Sequence, residues 1–102
     1  MQIEIKRGAT LAWPRTRVDS AGTPVDLTGV TVTAAVKLRN FTATLTVAVD
    51  NALAGEFTLS SAATATAVWP IATLECDVKY VEAGVVTYSE TDTIIVTASV
   101  TP

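Results

Sequence analysis

Pro24-Val25-Asp26-Leu27-Thr28-Gly29, running directly into Val30-Thr31-Val32-Thr33-Ala34-Ala35-Val36-Lys37-Leu38, decides the fold class of this 102-residue chain. The first six residues combine a proline, an aspartate able to bond its own backbone and a glycine, which is the composition of a turn. The next nine alternate apolar residues with threonine and lysine at a period of two, the pattern of a strand with one buried face. The same grammar recurs on both sides of this stretch.

Toward the N-terminus, residues 2–6 set Ile3 and Ile5 on one side and Gln2, Glu4 and Lys6 on the other. Residues 10–18 carry Leu11 and Trp13 but also Pro14, which cannot donate to a ladder. That assigns the segment to a sheet edge or a bulge, with a change of side-chain phase expected at the proline. Residues 19–24 are turn formers. Toward the C-terminus, residues 41–49 alternate Leu45, Val47 and Val49 with Thr44, Thr46 and Ala48, and are expected to pair with the preceding strand. Glu56-Phe57-Thr58-Leu59 is a brief strand with Phe57 and Leu59 inward. Residues 60–67 are the one place for a helical turn, capped by Ser60 or Ser61.

Residues 73–81 set Leu74, Cys76, Val78 and Tyr80 against Thr73, Glu75, Asp77 and Lys79. Glu82-Ala83-Gly84 reads as a three-residue hairpin loop, after which residues 85–89 and 91–100 return alongside, with Ile94, Val96, Ala98 and Val100 in the core. These signals predict an all-β fold: an antiparallel two-sheet β-sandwich of immunoglobulin-like type. It has about seven or eight short strands and at most one short helical turn near residues 60–67. A single domain over residues 1–102 is expected, large enough to bury about two-thirds of its unfolded surface. The 49% hydrophobic and 17% charged content excludes disorder.

Composition also limits function. A net charge of −3 and a pI near 4.7 supply no excess of cations to neutralise a phosphate backbone, so nucleic acid is not an expected partner. Arg15 with Arg17, and Lys37 with Arg39, read as charges dressing solvated strand faces. The first seven residues alternate where a secretory signal would be apolar, and no run approaches the roughly 18 residues that span a bilayer. A soluble protein made in a cytoplasm, with no membrane partner, is expected. Cys76 alone excludes an intrachain disulfide, and with no histidine in the chain a Cys/His zinc site cannot form. In phase with Leu74 and Val78, Cys76 reads as a small buried hydrophobe.

The absence of histidine removes the commonest general base and metal ligand together. Glu75 with Asp77, and Glu90 with Asp92, are the candidate carboxylate pairs, but their shared face reads as exposed, with no burial to raise a pKa for acid catalysis. Asp50, Asn51 and Glu56 supply oxygen ligands without the spacing of a calcium loop. The glycines are scattered, so no phosphate-binding loop exists, and the Asn40-Phe41-Thr42 glycosylation triplet has no secretory signal beside it. No catalytic, cofactor-binding or metal-ligating residue is assigned, and a non-enzymatic protein is expected. Trp13, Trp69, Tyr80 and Tyr88 are assigned to core packing. The alternative is a carbohydrate- or host-surface-binding module using exposed Trp or Tyr.

Taken in order, Gly8-Ala9-Thr10, the segment from Gly22 to Gly29, Gly55-Glu56-Phe57-Thr58-Leu59, Ala63-Thr64-Ala65, Trp69-Pro70, Cys76-Asp77-Val78 and Thr91-Asp92-Thr93-Ile94-Ile95-Val96 carry a resemblance. This series resembles the small immunoglobulin-like β-sandwich modules of tailed bacteriophages, among them the N-terminal domains of baseplate upper proteins and tail-fibre proteins. The resemblance implies a virion component, assembled in the bacterial host cytoplasm, that docks on other phage structural proteins in tail, baseplate or capsid and carries no catalytic residues. With Thr101-Pro102 following closely on the last strand, a free-standing module is expected, acting through strand edges, loops or an isologous or cyclic interface between copies. Ile3 and Ile5 are expected to border the edge that meets a partner.

Overall fold

The computed structural model describes residues 2–89 and 91–100. Eight strands and one short helix follow in chain order: β1 (Gln2–Lys6), β2 (Leu11–Thr16), β3 (Thr31–Leu38), β4 (Phe41–Asn51), β5 (Glu56–Ser61), α1 (Ala63–Thr66), β6 (Thr73–Glu82), β7 (Val85–Tyr88) and β8 (Asp92–Thr97). The strands hydrogen-bond in the order β1-β8-β6-β3-β4-β5-β2, and β7 lies beside the far half of β6. Strand β4 turns the corner. Residues 41–45 pair with β3, whereas residues 46–51 pair with β5 across a register shift between Val49 and Asn51. The all-β expectation holds, but the ladder curls through β4 into a nearly barrel-shaped sheet and does not divide cleanly into two sheets. Nor is pairing wholly antiparallel, because β1 runs parallel to β8. These strands come from opposite ends of the chain, so no tight turn constrains their direction.

The turn that opens β3 forms as its composition requires. The Asp26 carboxylate accepts hydrogen bonds from the Thr28 hydroxyl at 2.7 Å and the Thr28 amide at 2.8 Å, which hold its pKa below the ordinary carboxylate value. Leu27 is thereby tucked into the core at 3% exposure. Strand β6 buries Leu74, Cys76, Val78 and Tyr80, as its alternation predicts. Trp69, Phe57, Leu59, Val36, Ile94 and Val96 complete the centre, and Phe57 meets Tyr80 edge to face at 6.2 Å. Ile3 and Ile5 are half-buried and pack against this core from β1, an end strand of the ladder.

Several local expectations are corrected. Pro14 causes no phase change: Leu11 and Trp13 are buried and Arg15 remains on their side of β2. The amide of Arg17 donates to the Gly55 carbonyl at 2.9 Å, so odd-numbered residues bond toward β5 and the missing Pro14 N–H falls on the outer edge. Ser60 and Ser61 do not cap α1. They stay in β5 opposite Ala12 and Leu11, and Ala62 is the N-cap without a side-chain bond. The helix is instead tied down by Thr66, whose buried hydroxyl donates to the Ala9 carbonyl at 2.7 Å. The β6–β7 hairpin loop has two residues, Ala83 at φ 49° and Gly84 at φ 80°, with Glu82 paired to Val85. Two left-handed residues match the twist of the flanking strands better than the longer loop predicted. Beyond β8, Ala98 is exposed and Val100 is 91% exposed, because the chain has passed the end of β6.

Candidate functional site

Strand β2 is an outer strand of the ladder, and its inward face changes chemistry along its length. Leu11 and Trp13 enter the core, and the next residues on that face are Arg15 and Arg17. The Arg15 guanidinium lies 4.4 Å from the Trp13 ring centroid and sets Nη2 at 2.6 Å from Asp92 Oδ2. Arg17 stacks in the same way on Tyr80, at 4.3 Å. A planar, weakly hydrated guanidinium can lie flat on an aromatic face where an ammonium would stay in water. These two arginines therefore do not dress a solvated face as expected, whereas Lys37 and Arg39 are exposed.

Asp92 corrects a second expectation. It is 5% exposed, in register with Cys76 and in phase with the buried Ile94 and Val96. That phase is legible in the sequence. The expectation fails because β7 ends at Tyr88 and β8 begins at Asp92, and across this break the inward set changes from odd numbers in the first to even numbers in the second. Before the break, Tyr80 pairs with Thr87 and Lys79 with Tyr88. Tyr88 consequently shares the outer face with Lys79 and is 58% exposed, not core. Ser89 bridges the break: its amide donates to the Val78 carbonyl at 2.8 Å and its Oγ accepts from the Val78 amide at 3.0 Å. Glu90 lies outside the described residues.

A groove of about 860 Å³ opens between β2 with its following turn and the β7–β8 segment. Arg15, Arg17, Asp19, Tyr80, Tyr88 and Asp92 stand around it. Arg15 Nη1 and Arg17 Nη1 are buried nitrogens without a hydrogen-bond partner among the described residues. Burial raises the Tyr80 phenol above its ordinary pKa, opposed by the nearby Arg15 and Arg17 charges. Burial likewise pushes the Cys76 thiol up to about 11, which keeps it protonated and unreactive near neutrality. The chemistry on offer is donation from two stacked cations into a partly enclosed space.

The other residues singled out in the sequence do not converge. Glu75 is exposed and Asp77 half-buried, both on the face of β6 away from Asp92. Asp50 accepts from the Thr58 hydroxyl at 2.6 Å, Asn51 Oδ1 from the Ala54 amide at 3.3 Å, and Glu56 is exposed. Among the described residues no three His, Cys, Asp or Glu side chains gather to hold a metal. Trp13 and Trp69 are 6% and 1% exposed, which removes them as a sugar-stacking platform. No helix among the described residues is long and apolar enough to cross a membrane.

No protein-family model and no curated protein matches the chain. A solved structure does: the N-terminal domain of phage TP901-1 ORF48, with a TM-score of 0.68 over 93% of this chain and 83% of that one. The two share a fold. Their sequences are 14% identical, so the likeness is one of fold alone.

Proposed function

We propose that the protein is a structural, non-enzymatic component of a bacteriophage virion, a module of immunoglobulin-like sandwich type that docks on other phage structural proteins in the tail, baseplate or capsid. The observation that carries this reading is the fold shared over 93% of the chain with a domain of a phage protein. The order of sequence motifs given above points the same way. In the sandwich reading, β1, β8, β6 and β3 form one layer, β5 and β2 the other, and β4 belongs to both. A chain without histidine, whose buried carboxylate Asp92 is engaged by Arg15, favours docking over catalysis. The net charge of −3 speaks against nucleic acid as the surface it meets.

Quantitative mass spectrometry on density-purified particles, referenced to the major capsid protein, tests the reading. The protein is expected in the particle, in many copies for a capsid or tube role and in few for a baseplate role. Its restriction to the infected cytoplasm would overturn the proposal.

A further inference from the structure

Among the described residues three strands, β1, β2 and β7, each have a neighbour along one edge alone, and two of them are defended. The side chains of β1 include Glu4 and Lys6, and β2 has Pro14, whose absent N–H interrupts its free edge. Charges and prolines of this kind discourage another chain from pairing there. Strand β7 has neither. Its four residues, Val85-Val86-Thr87-Tyr88, are uncharged and all exposed, and among the described residues it pairs with β6 alone. In a two-residue hairpin the residues flanking the loop exchange hydrogen bonds, so Glu82 pairs in that way with Val85 and Tyr80 with Thr87. The Ser89 amide on the Val78 carbonyl continues the same parity. The backbone groups of Val86 and Tyr88 therefore point away from β6, along an open edge.

We propose that this β7 edge, with Arg17 and Arg15 beside it, captures an extended acidic segment of another virion protein as an added strand. Val85 and Thr87 face inward together with Tyr80, yet Val85 is 65% exposed and lines a small pocket with Arg17. A strand added about 4.8 Å beyond β7 projects alternate side chains into the groove. Arg15 in β2 and Arg17 just past its end stand two residues apart on the same side of the extended chain, roughly 7 Å, which is the repeat of those alternate side chains. Among the described residues Arg17 has no carboxylate partner. Asp92 is held by Arg15, Asp19 Oδ1 accepts from the Ala21 and Thr23 amides, and Glu82, which lines a smaller adjoining pocket together with Arg17, forms no ion pair with it among the described residues. A carboxylate arriving on the added strand supplies Arg17 with a charge-assisted partner, whereas a lysine there would meet like charge. The inference deepens the docking reading and rests on it only for the source of the segment.

The test uses the purified protein and two capped heptapeptides, one alternating valine with aspartate and the other valine with lysine, followed by amide NMR up to about 1 mM peptide. The acidic peptide is expected to shift the Val86 and Tyr88 amides, to bind at least about tenfold more weakly to Arg17→Gln, and to weaken with salt. Val86→Pro, which removes an outward N–H without touching the β6 ladder, provides a second variant and should also lose binding. Absence of shifts, equal binding of the lysine peptide, or binding unchanged in both variants overturns the proposal. So does concentration-dependent self-association through β7 without peptide, which makes a second copy the occupant. Particle incorporation is measured separately, so peptide binding without incorporation discards the virion reading and keeps the strand-capture site.

Discussion

Between β3 and β5, strand β4 carries the ladder around the molecule without a gap, whereas between β2 and β7 two strand edges stand apart with a groove separating them. The closed side is lined by apolar residues such as Leu59 and Val36, both fully buried and in register with residues of β4. The open side is lined by arginines stacked on aromatic rings and by a buried aspartate. The difference shows how a small sheet manages an unclosed seam. Where backbone pairing is complete, apolar side chains can fill the interior. Where it stops, amphipathic side chains cover the core, an arginine laying its apolar stem and planar guanidinium over an aromatic ring.

The largest effect separating the two sides is expected from the closed one. Leu59→Ala empties a fully buried position in register with Val47 of β4 and should lower stability by about 2–5 kcal/mol in urea denaturation. A loss below about 1 kcal/mol would mean the closed side is packed no better than the seam.

On the open side, Asp92→Ala strands the Arg15 charge and should cost about 3 kcal/mol. The paired replacement Arg15→Met with Asp92→Leu should return to within about 1 kcal/mol of the parent. If the single change is nearly silent, in the range of about 0.5 kcal/mol, the ion pair is screened as on an ordinary surface.

The pH dependence sharpens the same comparison. The Cys76 thiol titrates near 11 in the folded protein against an ordinary value of 9.0. Between those values the unfolded chain has released its proton and the folded chain has not, so stability falls as pH rises through this window and is fully retained below it. Tyr80, raised in the same direction, adds to the fall at the alkaline end. Cys76→Ala should flatten the decline of the urea midpoint between about pH 8 and 11, and a curve unchanged by it would place the titration elsewhere.

The smallest stability effect is expected at Tyr88. Tyr88→Ser should alter stability by no more than about 0.5 kcal/mol, because the ring is 58% exposed. A large loss would show that the outer face of β7 is already packed and that the seam is less open than its geometry indicates.

Legibility in the sequence follows the same division. The turn at Asp26 and Thr28, the alternation of β6 and the inward Phe57 and Leu59 were readable because each depends on residues close along the chain. Pro14 marked β2 as an outer strand for the right reason. The groove was not readable. Its arginines look like surface charges until Trp13 and Tyr80 are seen beneath them, and Tyr88 and Asp92 exchange their expected environments because of a break around Ser89. A period-two pattern is trustworthy only while the strand continues unbroken.

By itself the sequence determined an all-β chain, the approximate positions of its strands and turns, most of its core and the lack of histidine chemistry. The tertiary structure alone decided that β1 lies parallel to β8, that β4 serves two neighbours, and that the seam between β2 and β7 stays open over a pair of stacked arginines. The physical reason is that alternation specifies which side chains share a face, whereas the choice of neighbouring strand depends on long-range pairing and on which edges remain free.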